Sequence, residues 1–213
     1  LARPFLSLSD ETVRLIGPIK TQKVLPIHAF KGVLPFQGSI QLRERNVLSF
    51  SLDKAEGLAN YPFLRGAVYD EYTAGGWLSG ERHEKDRPPT DVAVLANFEP
   101  YSNQRIIIAH IQGANSRVAR SVLFAIGQPL GADVPTKAEA NGEWNDSDRA
   151  PTFGITLMRP PDRLDPGATY STAGVVVDAT ADELRTADEG SVGAVSQQRY
   201  TQLPDDLPQR VRD

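Results

Sequence analysis

The sequence predicts a mainly β fold, an antiparallel β-sandwich or a distorted barrel with one short C-terminal helix. Three observations lead there. Glycine and proline are frequent, at 17 and 16 of 213 residues, which favours turns over long helices. Apolar residues recur in short alternating runs separated by polar or glycine-containing breaks, the pattern of half-buried strands. A helix start signal stands only near the end, where Thr180 and Glu183 have the spacing of a capping box. About ten short strands with so little helix belong to a sandwich or barrel.

Taken in order, residues 1–40 carry Pro18, Pro26 and Pro35, too frequent for a helix interior, so short strands and turns are expected. Ser39 to Lys54 reads as a hairpin with Arg45-Asn46 at its turn. Phe63 to Thr73 reads as one strand closing on a tight Ala74-Gly75-Gly76 turn, with Trp77 directly after it. Residues 80–91 contain no aliphatic anchor and are expected to form a surface loop. Val92–Phe98, Arg105–Gln112 and Ser121–Ile126 are apolar segments, expected as strands of a meander. Gly131–Pro151 is polar and turn-rich, while Phe153–Met158 and Tyr170–Asp178 read as further strands. The capped helix should run from Thr180 through Ala187, and Pro204 and Pro208 hold the tail extended. Residues 1–179 therefore form a β-rich domain, and 180–213 a short helix and linker.

Composition narrows the function classes. Lys plus Arg number 23 against 27 Asp plus Glu, a formal charge of −4, which lacks the basic footprint of a nucleic-acid binder. Hydrophobic residues at 40% and charged residues at 23% describe a soluble globular chain, with no run long enough to span a membrane. Leu1-Ala-Arg-Pro4 is neither an initiator Met nor a signal peptide, so the sequence reads as a segment of a longer chain. Cysteine is absent, which removes disulfides, thiolate metal sites and thiol nucleophiles together. His28, His83 and His110 are widely separated and have no metal-binding spacing; His83 is expected solvated in its charged loop and His110 on the edge or face of an Ile-rich strand. Asn141 to Asp148 has part of the spacing of a calcium loop, but lacks the central glycine and the closing Glu, so a polar turn is expected. No Gly-x-Ser-x-Gly elbow and no phosphate-cradling loop is present, and no cofactor is implied.

Arg65, Tyr69, Asp70, Tyr72 and Trp77 form the densest group of chemically active side chains. On a continuous strand Arg65, Ala67, Tyr69 and Glu71 would share one face, and Gly66, Val68, Asp70 and Tyr72 the other. An Asp paired with an Arg from a neighbouring strand, with Tyr and Trp packed over it, would make a stiff structural corner. The same residue types dominate protein interfaces, so the Trp77 turn could also dock another domain. Two rival readings remain. Trp77 and Trp144 could serve a carbohydrate- or peptide-binding module as stacking platforms. A β-rich hydrolase with carboxylates as acid and base is the other; the specific pair Asp70 and Glu71 fails, because adjacent strand residues point to opposite faces, which leaves only carboxylates distant in sequence.

Three stretches together resemble the extracytoplasmic region of bacterial membrane-anchored transglutaminase-like proteins. They are Tyr61-Pro-Phe-Leu-Arg-Gly-Ala-Val-Tyr-Asp-Glu-Tyr-Thr-Ala-Gly-Gly-Trp77, then Tyr170-Ser-Thr-Ala-Gly174 with Ala179 to Ala187, and then Arg199-Tyr-Thr-Gln-Leu-Pro-Asp205 on to Val211. Ala74 stands where that family usually has Gly. The resemblance implies a β-domain on the outer face of the membrane, with transmembrane helices upstream and a papain-like core downstream bearing a Cys-His-Asp triad. That downstream domain of the same chain would be its partner, and membrane contact would come only through segments outside this sequence. This cysteine-free stretch would then be a non-catalytic accessory domain that positions or regulates the core.

Overall fold

The computed structural model describes residues 33–35, 46–58, 63–73, 75–98, 103–113, 119–141, 144, 154–186 and 202–203. Turn residues and apolar alternation divide these into β1 (Val33–Pro35), β2 (Leu48–Asp53), β3 (Leu64–Arg65), β4 (Glu71–Thr73), β5 (Gly76–Leu78), β6 (His83–Arg87), α1 (Val92–Leu95), β7 (Gln104–Gly113), β8 (Ala125–Ile126), β9 (Gln128–Ala132), β10 (Thr136–Ala140), β11 (Ile155–Arg159), β12 (Thr169–Val177) and α2 (Ala181–Thr186). The fold is mainly β and antiparallel, with short helices, as the composition and patterning predict. Its strands form separate sheets, ordered β2-β7-β12-β9, β11-β10-β6, β1-β5-β4 and β3-β8, and do not close into a barrel.

The two runs richest in branched residues make the centre. β7 and β12 pair antiparallel from Thr169 opposite Gln112 to Val177 opposite Gln104. β2 extends the sheet beyond β7, and β9 extends it beyond β12. No two neighbours in this sheet are consecutive in sequence, so the expected meander is replaced by long connections that cross between layers. The register of β9 shifts between Ala173 and Gly174, which bulges Leu130 into the apolar group formed by Ile106, Ala173 and Val175.

Strand alternation gives the central sheet two distinct faces. The inner face presents Ala109, Ile111 and Tyr170 to Ala138, Ile155, Leu157 and Met158 of the β10–β11 pair, with Val122 and Leu123 filling between. Each fully buried Ile or Leu there contributes roughly 1.5–3 kcal/mol. The outer face is apolar at one end, where Ile106, Ala173 and Val175 meet Val92 and Leu95 of α1 and, after it, Ala96 and Phe98. Among the described residues that apolar cover ends past Ile108, where Ser51, His110 and Ser171 make the face polar.

Four expected elements are corrected. Val92–Phe98 begins with a helix rather than a strand, because Asp91 accepts from the Ala93 N–H at 2.9 Å and caps a turn that seats Val92 and Leu95 on the sheet. The charged stretch 80–91 contains β6, an edge strand held to β10 through its backbone, so it needs no apolar side chains of its own. Gly131–Pro151 opens with the end of β9 and then β10 instead of turns. In Ser121–Ile126 only Ala125–Ile126 is a strand; before it, side chains satisfy the buried backbone of Phe124, the Tyr170 hydroxyl accepting its N–H at 2.9 Å and the Thr172 hydroxyl donating to its carbonyl at 3.1 Å.

α2 starts as predicted. The Thr180 hydroxyl accepts from the Glu183 N–H at 3.2 Å, and Glu183 accepts from the Thr180 N–H at 2.7 Å, which holds the Glu183 carboxyl below its usual range. It runs to Thr186, and Ala187 lies outside the described residues. β2 forms as expected, whereas the first strand of the Ser39–Lys54 hairpin and Arg45 of its turn lie outside them. Among the described residues no helix is long and apolar enough to cross a membrane.

Candidate functional site

The predicted group falls on a corner where the chain leaves β3 for the β4–β5 hairpin. The stretch 63–73 is not one strand: among the described residues, between β3 and β4 only Ala67 bridges, to Leu157, and the Val68 N–H reaches the Thr156 carbonyl at 3.0 Å. The expected alternation from Arg65 to Tyr72 is therefore interrupted, and Asp70 turns inward to 4% exposure. Its clamp is Arg82, which donates to the two carboxylate oxygens at 2.5 and 2.9 Å, while the Gly80 N–H adds a bond of 2.9 Å. Such a fork-to-carboxylate pair is strong and directional. Gly80 suits its place, since a Cβ there would stand 3.3 Å from the Asp70 carboxylate oxygen.

Arg65 instead donates to the Gln128 side chain at 3.0 Å, and Gln128 in turn donates to the Ile155 carbonyl. Tyr72 and Trp77 sit directly opposite one another on β4 and β5, with ring centroids 5.1 Å apart and planes at 68°, an edge-to-face pair. Trp77 remains 37% exposed. Tyr69 is half-buried, and burial raises its phenol pKa against the opposing pull of Arg159. The corner also receives the distant C-terminal stretch, where the Gln202 side-chain amide donates to the Asp70 carbonyl at 3.4 Å.

A second site lies on the polar half of the central sheet's outer face and was not foreseen as one. Cross-strand register aligns Ser51, His110 and Ser171 in one row across β2, β7 and β12. His110 Nδ1 is 3.0 Å from Ser171 Oγ, and its Nε2 is 2.9 Å from Asp53 Oδ2. Asp133, just after β9, accepts the Ser171 N–H at 2.7 Å. Ser49, Ser51, His110, Gln112, Thr169 and Ser171 border an open cleft of about 490 Å³. The available sequence signal was the polar alternation of His110 and Gln112 with isoleucines; the register that brings Asp53 and Ser171 to His110 is a product of folding.

The remaining candidates are dispersed. His83 is exposed on β6, and its carbonyl accepts from the Trp144 indole at 3.1 Å. Trp144 is packed against the core with the Arg87 guanidinium 6.0 Å from its ring centre, so it is an anchored group rather than a free stacking platform. His28 and most of 141–148 lie outside the described residues. Among the described residues no cluster of three or more His, Asp or Glu is placed to hold a metal ion. What fold and sites define is thus an antiparallel, mainly β protein with a clamped aromatic corner and a polar cleft. Compared with known families, curated proteins and solved structures, the chain matches none.

Proposed function

We propose that this chain is an accessory β-domain of a bacterial membrane-anchored transglutaminase-like enzyme, lying on the extracytoplasmic side and positioning a catalytic core that follows it. The observation that carries this reading is the contact between Gln202 and Asp70, because it joins two of the three stretches that bear the resemblance. Asp70 is fixed by Arg82, so the stretch holding Gln202 contacts a clamped corner of the domain. On the hairpin that follows Asp70, the Tyr72–Trp77 pair offers the kind of part-exposed aromatic anchor that dominates interfaces. Transamidation by a papain-like core requires a thiolate, and this chain has no cysteine.

Two measurements test the proposal. The 213-residue chain should incorporate no primary amine into glutamine-containing peptides, and reproducible incorporation would overturn it. The parent gene should continue past Asp213 into a Cys, a His and an Asp in papain-like order; a parent lacking that Cys would overturn it equally.

A further inference from the structure

We propose that Ser171, His110 and Asp53 form a nucleophile–base array that hydrolyses neutral or cationic esters through a serine-bound acyl group. This goes beyond the accessory role and rests on a different place in the fold.

The proton positions follow from the donor inventory. A carboxylate only accepts, so the Nε2 that lies 2.9 Å from Asp53 carries the imidazole proton. Neutral imidazole then keeps its lone pair on Nδ1, which faces Ser171 Oγ at 3.0 Å, and the serine hydroxyl donates into it. That is the orientation in which a histidine can take a serine proton while a carboxylate fixes its tautomer and offsets the imidazolium charge. The two ring nitrogens are exchanged relative to the familiar serine-protease arrangement, but each can serve as base, and the roles are unchanged.

The supports are rigid. Ser171 sits on β12 between β7 and β9, with its N–H tied to Asp133. Asp53, His110 and Ser171 all project from paired strands of one sheet, the setting that holds a constellation most firmly. The array opens to a cleft of about 490 Å³, room for a small acyl group. Ser51, Gln112 and Thr169 also line it, which makes its wall polar and uncharged there. Asp53 and Asp133 disfavour an anionic substrate, which sets the substrate class.

In the reaction, Ser171 Oγ bonds to the acyl carbon as its proton passes to His110 Nδ1. The ester C–O bond then breaks, and His110 returns that proton to the departing alcohol. Water next gives a proton to Nδ1 and its remaining hydroxyl to the acyl carbon; the acyl carbon–Oγ bond breaks, the Nδ1 proton passes to Ser171 Oγ, and the carboxylic acid leaves. Asp53 is a positioning residue throughout, holding the Nε2 proton.

The test treats the 213-residue chain with a fluorophosphonate probe and with a neutral short-chain p-nitrophenyl ester. Expected is covalent labelling that maps to Ser171, is lost in S171A and slows about 100-fold in H110Q. Ester turnover should fall in parallel, with D53N impaired and D53E partly restored, a rescue that a merely structural Asp would not produce. Absence of label at Ser171, or equal labelling in H110Q, overturns the proposal. The H110Q comparison decides even if S171A fails to fold, and none of these results bears on amine incorporation.

Discussion

Asp70 is the residue whose burial asks most of its surroundings. A carboxylate at 4% exposure is tolerable because Arg82 and the Gly80 N–H occupy its oxygens. Removing one partner leaves the other charged and buried, so D70A should cost about 3–5 kcal/mol in urea unfolding, and D70L/R82M should lose clearly less than the sum of its single changes. A cost for D70A below ~1 kcal/mol would mean that the pair exchanges freely with water. The sequence singled out Asp70 and expected an arginine beside it. It could not name Arg82, since that residue stands in a stretch without apolar anchors, where nothing but the fold of the 71–78 hairpin and the loop after it aims the guanidinium inward. His110 was equally opaque: its strand was legible from Ile106, Ile107, Ile108 and Ile111, whereas its partners come from chain segments 57 and 61 residues away.

Among the elements, legibility followed burial on both faces. β7 and β12 were read almost to the residue, because a central strand is written in branched apolar side chains. β6 was missed because an edge strand is held by backbone bonds, and His83-Glu84-Lys85-Asp86-Arg87 carries charge where an edge is open. α1 was misread because a four-residue apolar run has too few positions to separate the helical period from the strand period, and its Asp91 cap decides. The β8–β9 kink shows a second limit. Gly127 holds φ at +56°, and a Cβ on Gly174 would stand 1.9 Å from the Ile126 carbonyl oxygen, so β12 and the kink approach with no room for a side chain. Replacing Gly174 by Ala should therefore destabilise by about 3 kcal/mol through forced backbone displacement. Thermal unfolding checks this, and an unchanged midpoint would refute the close approach.

For the whole molecule, Tyr170 links the two layers to pH. It is buried on the inner face, accepts the Phe124 N–H, and burial pushes its phenol pKa up to about 12 from 10.0 despite that hydrogen bond. The folded state thus keeps a proton that the unfolded chain releases. The resulting stability is fully present below the unfolded value, and it declines as pH rises from about 10 through about 12. Its size is on the order of 3 kcal/mol. Denaturant unfolding across that interval should show the decline in the native chain and a shallower one in Y170F, which should already be weaker at neutral pH by roughly 1–3 kcal/mol for the orphaned Phe124 N–H. Equal slopes would place the alkaline loss elsewhere. Composition, turn frequency and apolar alternation were enough by themselves to determine a mainly β chain, its central strands and its capped C-terminal helix, because these depend on local conformational preference and on which residues leave water. Strand order, the Asp70–Arg82 clamp and the row of Asp53, His110 and Ser171 were decided only by tertiary structure. Register between strands distant in sequence is set by how two faces pack together, and that choice is not written in any single segment.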